Sequence, residues 1–392
     1  MQLLEKQLKK IGALFQPGRP LNKFYPLFEA MDTFAFTPGK TAAKAPHVRD
    51  AVDIKRVMIL VVVALMPCIF MGIYNAGYQI ELAKGMAHSF WGCVASGAIK
   101  VVPIVIVAYA AGGFWEVLFA VIRKHEINEG FLVTGILYAL TLPPSIPLWQ
   151  VAVGISFGVV IGKEIFGGTG FNILNPALTA RAFVFFAYPA QMSGDNVWIA
   201  VDGFTRATPL SVVAAADKGG SAIMALQDAG YTFKEMFLGF IPGSIGETST
   251  LACLLGLAFL LITRVASWRI VAGCALGLTG MSAFLTLFQG PDALAFFSLP
   301  PHWHMIMGGF AFGSIFMATD PVSSSATNIG RWIYGIMIGL LIVLIRMVNP
   351  AYPEGTMLAI LFMNVFAPLI DHFVVEGKIK KRLARRNAPK AG

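Results

Sequence analysis

Ten apolar runs, each close to the length that crosses a lipid bilayer, follow one another along this chain of 392 residues. A spanning helix needs roughly 20 mostly apolar residues. The runs lie at 57–75, 98–122, 131–147, 149–166, 173–190, 249–263, 269–288, 304–319, 332–348 and 356–371. Because a helix satisfies all its backbone hydrogen bonds within one segment, it suits such runs in lipid. The sequence therefore predicts an all-α polytopic membrane protein with about ten transmembrane helices.

The charged residues agree with this class and indicate an orientation. They make up 13% of the chain, about half of the roughly 25% that is usual in soluble domains. The net charge of +9 comes largely from basic residues within 1–56 and 372–392, at the two ends of the chain. Basic segments that flank apolar spans stay on the cytoplasmic side. This pattern argues against nucleic-acid binding and predicts that both termini are cytoplasmic.

A long polar loop divides the runs into two sets of five. Residues 191–248 carry six acidic and three basic residues, which suits the non-cytoplasmic side. An odd number of spans in each half predicts two inverted repeats, an arrangement common in ion-handling membrane proteins. Two tripeptides occur once in each half and favour a duplication, although such matches also arise by chance. They are NPA at 175–177 and 349–351, and GGF at 112–114 and 308–310.

The predicted organisation therefore has five parts. They are a basic N-terminal segment (1–56), a first five-helix repeat (57–190), the polar loop (191–248), a second five-helix repeat (249–371) and a basic tail (372–392). The four cysteines, Cys68, Cys93, Cys253 and Cys274, form no C-x-x-C pair. We interpret them as small core residues, with no metal or disulfide framework implied.

The segment 202–208, DGFTRAT, stands out within the polar loop because a proline follows it. On pattern alone, Thr208 before Pro209 is a helix N-cap. The segment also resembles the flavinylation motif Asp-Gly-x-Ser/Thr-Gly-Ala-Thr, in which FMN is joined through its phosphate to the last threonine. The matching residues are Asp202, Gly203, Thr205, Ala207 and Thr208, which makes Thr208 the expected acceptor. Arg206 replaces the glycine of the motif, and it could either hinder the flavin transferase or pair with the flavin phosphate.

Much more of the chain resembles one family, the B subunits of the bacterial Na⁺-translocating NADH:quinone oxidoreductases. The resemblance rests on 47–50 (HVRD), 112–119 (GGFWEVLF), 123–130 (RKHEINEG), 167–175 (GGTGFNILN), 185–191 (FFAYPAQ), 242–247 (PGSIGE), 317–322 (MATDPV) and 348–355 (VNPAYPEG). It implies a subunit of a six-subunit complex of the inner membrane that exports Na⁺. It further implies a covalent FMN, a noncovalent riboflavin and a share in binding ubiquinone, the electron acceptor.

Two alternatives remain open. The D subunit of the ion-translocating ferredoxin:NAD oxidoreductase shares the threonine motif, but it generally lacks a long basic N-terminal segment. A non-redox channel or secondary transporter built from inverted repeats belongs to a different class. No NADH site or set of iron–sulfur ligands is visible in the sequence. We therefore expect the chain to be inactive without its partner subunits.

Acidic residues at or near the apolar runs are candidates for a Na⁺ pathway. A charge at bilayer depth is costly and usually faces a cavity or a partner, and hard cations prefer oxygen ligands. Glu116, Asp320 and Asp371 fit this description, although each is equally compatible with a position at the headgroup boundary. The resemblance adds Glu29 to this set. Glu116 and Asp371 are our first choices.

Two further motifs could hold uncharged rings. Gly112 and Gly113 let a flat ring or a neighbouring helix approach the backbone, and the resemblance implies quinone there. Asn172 and Asn175, in the glycine-rich segment 167–176, offer hydrogen-bond donors and acceptors that suit the isoalloxazine of riboflavin. Plain helix packing and a helix start are the respective alternatives. The segment has no lysine where a phosphate-binding loop requires one.

Overall fold

The computed structural model describes residues 12–15, 19, 25, 28, 54–86, 88–124, 127, 130–348 and 354–387. Within these ranges the chain is helical and forms no strand. Six of the described helices are long and apolar enough to cross a membrane, and three shorter helices are also apolar. The all-helical class predicted from the sequence is thereby confirmed.

The described part of the chain has nine main helices. They are α1 (Ile54–Ala83), α2 (Phe90–Arg123), α3 (Gly130–Leu140), α4 (Leu148–Val160), α5 (Pro176–Ala187), α6 (Thr250–Ile262), α7 (Trp268–Thr286), α8 (Asn328–Val348) and α9 (Thr356–Asn387). Short helices lie between them at Pro189–Met192, Pro209–Ala215, Ala222–Asp228, Phe233–Leu238, Pro301–Ile306 and Phe310–Phe312, with a π-helix at Gly313–Met317. Single turns of 3₁₀-helix occupy Ala13–Phe15, Glu164–Phe166 and Ala295–Ser298.

The first two helices are longer than their apolar runs. The run at 57–75 ends because polar residues follow it, yet α1 continues to Ala83. Asn75 and Gln79 are buried there, and the Asn75 amide donates to the Ile241 carbonyl at 2.9 Å. These polar side chains face protein rather than lipid. A hydropathy threshold therefore ends the span too early.

The run at 304–319 is not one continuous helix. It breaks between Pro301–Ile306 and Phe310–Phe312, and Gly308 at the break has a φ of +63°. Gly112 and Gly113, by contrast, lie well inside the unbroken helix α2. The two GGF segments thus occupy different kinds of position, one inside a helix and one at a helix break.

Glycines bring the backbones of paired helices into direct contact. A Cβ atom at Gly277 of α7 would lie 2.1 Å from the Ile336 carbonyl oxygen of α8, and one at Gly339 would lie 2.0 Å from that of Cys274. The α1–α2 pair is built in the same way, since a Cβ at Gly97 would lie 1.8 Å from the Ile73 carbonyl oxygen. Small residues at helix contacts allow this close packing in membranes.

This packing makes a prediction for two glycines of one helix. Gly277→Ala must push α8 away, because the opposing atom belongs to the backbone and cannot rotate aside. Gly280→Ala is the matched control, since a Cβ atom placed there would have nothing within 4 Å and alanine is the better helix former by roughly 1 kcal/mol. In a thermal unfolding assay in detergent, we expect Gly277→Ala to lower the melting temperature and Gly280→Ala to leave it unchanged or raise it. Equal effects would refute the contact.

Candidate functional site

A cavity of about 300 Å³ lies beside Thr208. The residues that line it include Arg181, Phe185, Trp198, Thr208, Leu210, Glu247, Gly308 and Glu354. They come from α5, from the polar loop and from the two connections on either side of α8. We call this space the Thr208 cavity. Its volume is at the lower end of the range of small-molecule sites.

Thr208 is the N-cap of the helix Pro209–Ala215, as the pattern predicted. Its Oγ1 accepts a hydrogen bond from the Ser211 backbone N–H at 3.2 Å and lies 2.9 Å from the Ser211 hydroxyl. The Tyr231 hydroxyl donates to the Ala207 carbonyl at 2.5 Å and holds the preceding residue in place. Thr208 therefore both caps this helix and lines the Thr208 cavity.

The rest of the motif lies apart from this cavity. Asp202, Gly203 and Thr205 line a separate, more open depression next to Lys100. The side chain of Arg206 contacts α1, where it donates to the side-chain carbonyl of Gln79 at 3.3 Å.

The same guanidinium stacks 5.0 Å from the centre of the Tyr231 ring. Arg206 thus anchors the loop to α1 and is not among the residues that line the Thr208 cavity.

A buried cluster of charges forms one wall of the Thr208 cavity. Arg181 of α5 pairs with Glu354 at 2.8 Å and with Glu247 at 3.5 Å. Its Nε donates to the Thr141 carbonyl at 3.2 Å. Glu354 also accepts from the Gly309 backbone N–H at 3.2 Å. One side chain of α5 therefore ties together three connections of the chain.

A second buried arginine completes the cluster at the helix break. Arg346 of α8 is fully buried. It donates to the His304 and Met307 carbonyls at 2.7 and 2.8 Å and to the Glu354 carbonyl at 3.3 Å. These bonds satisfy carbonyl groups that the break at Gly308 leaves without helical partners. With two arginines and two glutamates, the cluster is balanced in formal charge.

Neither arginine is among the candidate residues predicted from the sequence. Arg181 and Arg346 lie inside the apolar runs 173–190 and 332–348. A basic residue within such a run is itself a signal of a buried partner or a cavity. Considering only the acidic residues of the apolar runs therefore overlooks Arg181 and Arg346.

A smaller cavity, about 70 Å³ in volume, lies at the other end of α5. We call it the Lys163 cavity. Its lining includes Thr134, Lys163, Thr169, Asn172, Asn175 and Asp320. Asn175 precedes α5 and Phe185 of the Thr208 cavity follows ten residues later, a rise of roughly 15 Å along a helix. The two cavities therefore lie near opposite ends of this short helix.

The structure brings Asn172 and Asn175 together in this cavity, with their amides partly used locally. Asn175 caps α5, because its side-chain oxygen accepts from the Ala177 and Leu178 N–H groups at 3.0 and 3.3 Å. The Asn172 amide donates to the Leu174 carbonyl at 2.9 Å. The helix-start interpretation of this segment is thus correct for Asn175. Neither bond excludes a further partner, since each amide has both donors and acceptors.

Glu116 and Lys163 form a buried ion pair at the Lys163 cavity. Lys163 also lies 3.3 Å from the Thr169 hydroxyl and 3.6 Å from Glu164. Glu164 in turn pairs with Arg123 at 3.1 Å. Lys163 and Glu164 are therefore buried members of an internal network of charges.

The remaining acidic candidates differ in their surroundings. Asp320 accepts from the Ser323 hydroxyl at 2.7 Å and the Val322 N–H at 3.2 Å, and burial raises the pKa of its carboxyl above the usual range. Asp371 accepts four hydrogen bonds from residues 325–327, at 2.6 to 3.0 Å. Those bonds hold the start of α8. Glu29 lies outside the described residues.

The paired glycines of α2 have unequal surroundings. A Cβ at Gly112 would lie 2.4 Å from the ring of Phe131 and 2.9 Å from Ile155, so Gly112 serves the packing of α2 against α3 and α4. A Cβ at Gly113 would meet only the Phe131 ring, at 3.7 Å. Any flat ligand at this position would therefore approach Gly113 more easily than Gly112.

The helices and their two charged cavities define a polytopic α-helical membrane protein with polar sites in its interior. Residues 41–380 match the NQR2, RnfD, RnfE family, and the chain belongs to that family. The family assignment made from the sequence is thereby confirmed.

Several relatives are similar along almost their entire length. The chain is 53% identical to the B subunit of the Na(+)-translocating NADH-quinone reductase from Pseudomonas paraeruginosa, covering 97% of this chain and 99% of that protein. It is 55% identical to the protein of the same name from Azotobacter vinelandii, covering 96% and 98%. For the Chromohalobacter salexigens protein of that name, the identity is 53% over 97% and 96% of the two chains.

Proposed function

We propose that this chain is the membrane-embedded B subunit of a bacterial Na⁺-translocating NADH:quinone oxidoreductase. The observation that carries the proposal is the 53–55% identity with proteins of that name over 96–97% of the chain. Such coverage includes most of the basic N-terminal segment. It favours this assignment over the ferredoxin-linked subunit of the same family and over a non-redox transporter.

The Thr208 cavity supports a covalent FMN on Thr208. The threonine hydroxyl stands at the cavity wall, the rings of Trp198 and Phe185 offer aromatic surfaces, and Arg181 supplies a cation. When bound, a flavin supplies one- and two-electron redox chemistry. The protein's own contribution is to position the ring and set the charge around it. A flavin transferase is the required partner for attachment.

The Lys163 cavity supports entry of Na⁺, and Asn172 and Asn175 at its wall support contact with an edge of the riboflavin ring, since about 70 Å³ does not hold the whole ring. It brings Asn172, Asn175, Asp320 and Lys163 to one space, and Lys163 is paired with Glu116. Carboxylate, amide and hydroxyl oxygens suit a hard cation. We place Glu116 and Asp320 first on the Na⁺ path.

Three further assignments extend the proposal. Asp371 and Glu29 are candidates for additional steps of the Na⁺ path, although Na⁺ at Asp371 must compete with hydrogen bonds from residues 325–327. We propose that ubiquinone approaches α2 at Gly113, beside Gly112.

The helix contacts support ten spans in two inverted repeats. The pairs α2–α4 and α4–α5 in the first half resemble α7–α8 and α8–α9 in the second, while α1 packs on α6 and α5 on α9. The short α3 and the broken segment at 301–317 then take equivalent places. With both termini in the cytoplasm, the exposed apolar side chains of α9, such as Phe362 and Phe373, face lipid or the other subunits of the inner-membrane complex.

Complementation tests the proposal. A strain that lacks its own B subunit and keeps the other subunits should regain NADH-dependent quinone reduction in membrane vesicles when it produces this chain. We expect this activity to increase with added Na⁺ and to accompany uptake of ²²Na⁺ into inverted vesicles. Vesicles that contain the assembled chain but reduce quinone equally fast with and without Na⁺ would contradict the proposal.

A further inference from the structure

The hairpin that joins α1 to α2 brings three metal-ligating side chains together. A carboxylate oxygen of Glu81, a ring nitrogen of His88 and the sulfur of Cys93 all lie within 4.8 Å of one another. Glu81 belongs to the last turn of α1 and Cys93 to the first turn of α2, so the group spans the hairpin. None of these residues lines the Thr208 cavity or the Lys163 cavity.

Glu81 is buried without a basic partner. Its side chain is in the interior, and among the described residues it forms no salt bridge. Its Oε2 accepts from the Cys93 thiol at 3.1 Å and the Ser89 N–H at 3.4 Å. Its Oε1 lies over Gly92, where a Cβ atom would come within 2.6 Å. Burying an unpaired carboxylate is costly, and a bound cation would offset that cost.

The donor set selects the kind of cation. Na⁺, Mg²⁺ and Ca²⁺ prefer oxygen ligands alone, whereas Zn²⁺ takes sulfur, imidazole nitrogen and carboxylate oxygen together. Ligands at 2.0–2.3 Å around a tetrahedral Zn²⁺ lie about 3.5 Å apart, so a small movement of the loop residue His88 would close the site. The Tyr78 ring packs 4.8 Å from the His88 ring and can orient it.

We propose that Glu81, His88 and Cys93 form a site for Zn²⁺, or for another divalent ion that accepts the same ligands, and that the bound ion holds the two helices of the α1–α2 hairpin together. Three protein ligands leave the fourth tetrahedral position open to water, and the exposed His88 gives the ion access from solvent. Binding transfers the Cys93 thiol proton to solvent, because the thiolate is the ligand. Gln79, two residues before Glu81, receives the Arg206 hydrogen bond, so the bound ion would also steady the loop that precedes Thr208.

Metal analysis of the purified complex tests this site. The complex is stripped with a chelator, exposed to buffered free Zn²⁺, and washed, and bound zinc is then measured by mass spectrometry. We expect the wild type to retain one more Zn²⁺ per complex than Glu81→Gln, His88→Ala and Cys93→Ala, and to gain thermal stability from zinc that these variants do not gain. His302→Ala and Cys274→Ala are the matched controls and should behave like the wild type.

Cobalt gives a second readout. Co²⁺ in the same site should show a sulfur-to-metal absorption band that Cys93→Ala abolishes and Cys274→Ala keeps. If the two variants of buried residues fail to assemble, His88→Ala decides the question alone, because that side chain is exposed. Equal zinc content in the wild type and the assembled His88→Ala complex would overturn the proposal.

Discussion

Replacing Arg181 with methionine is expected to prevent stable assembly of the membrane domain. The substitution leaves Glu247 and Glu354, both paired with Arg181 at 2.8 to 3.5 Å, without that cation in the interior. Removing one partner of a buried ion pair costs about 3–5 kcal/mol, a large part of the stability of most domains. The measurement is the fraction of monodisperse complex that survives a temperature series in detergent.

A surface pair supplies the control for Arg181. Lys380 and Glu376 lie 2.7 Å apart on the exposed part of α9, where Lys380 is 73% exposed. Exposed pairs contribute only about 0–1 kcal/mol, so Lys380→Met should leave the survival curve unchanged. Equal curves for Arg181→Met and Lys380→Met would show that the buried cluster has no structural importance.

Replacing Lys163 with methionine is expected to cause the second large loss. Glu116, buried beside Lys163, would lose that cation, again at a cost of about 3–5 kcal/mol. The double variant Lys163→Met with Glu116→Gln removes both charges, and buried pairs replaced together are often tolerated. We therefore expect the single variant to assemble poorly and the double variant to recover assembly.

The double variant also separates structure from transport. If Glu116 belongs to the Na⁺ path, as proposed, the recovered complex should reduce quinone with little or no stimulation by Na⁺. If Glu116 serves only as the structural partner of Lys163, Na⁺ stimulation should recover together with assembly. A double variant with normal Na⁺ dependence would remove Glu116 from the proposed path.

The sequence predicted the class of fold because hydropathy reports directly on lipid contact. The bounds of the helices were predicted less accurately where a helix contacts protein instead of lipid. The end of α1 at 76–83 was excluded from its run although it is helical. The segment 304–319 appeared continuous although it breaks at Gly308. Composition carries no information about which partner a side chain faces.

The candidate sites show the same limit. Thr208 was correctly identified as an N-cap, and the helix start left open for 167–176 is found at Asn175, because capping depends on residues close in sequence. The Lys163–Glu116 and Arg181–Glu354 pairs join residues that are 47 and 173 positions apart, and only the packed helices bring them together. Asp371 was singled out as an acid near bilayer depth, but its hydrogen bonds to residues 325–327 depend on a loop that is distant in sequence.

Ultraviolet fluorescence of the subunit after denaturing electrophoresis tests whether Thr208 carries a flavin. The chain is co-produced with a flavin transferase of known activity. Thr208→Ala is run beside it, and so is Ser211→Ala, which removes the other hydroxyl, 2.9 Å from Thr208 Oγ1.

We expect a fluorescent band for the wild type and for Ser211→Ala, and a dark band for Thr208→Ala. Arg206 is expected to permit attachment, since its side chain contacts Gln79 and Tyr231. A dark wild-type band would contradict a flavin on Thr208, and fluorescence regained with Arg206→Gly would identify this arginine as the reason.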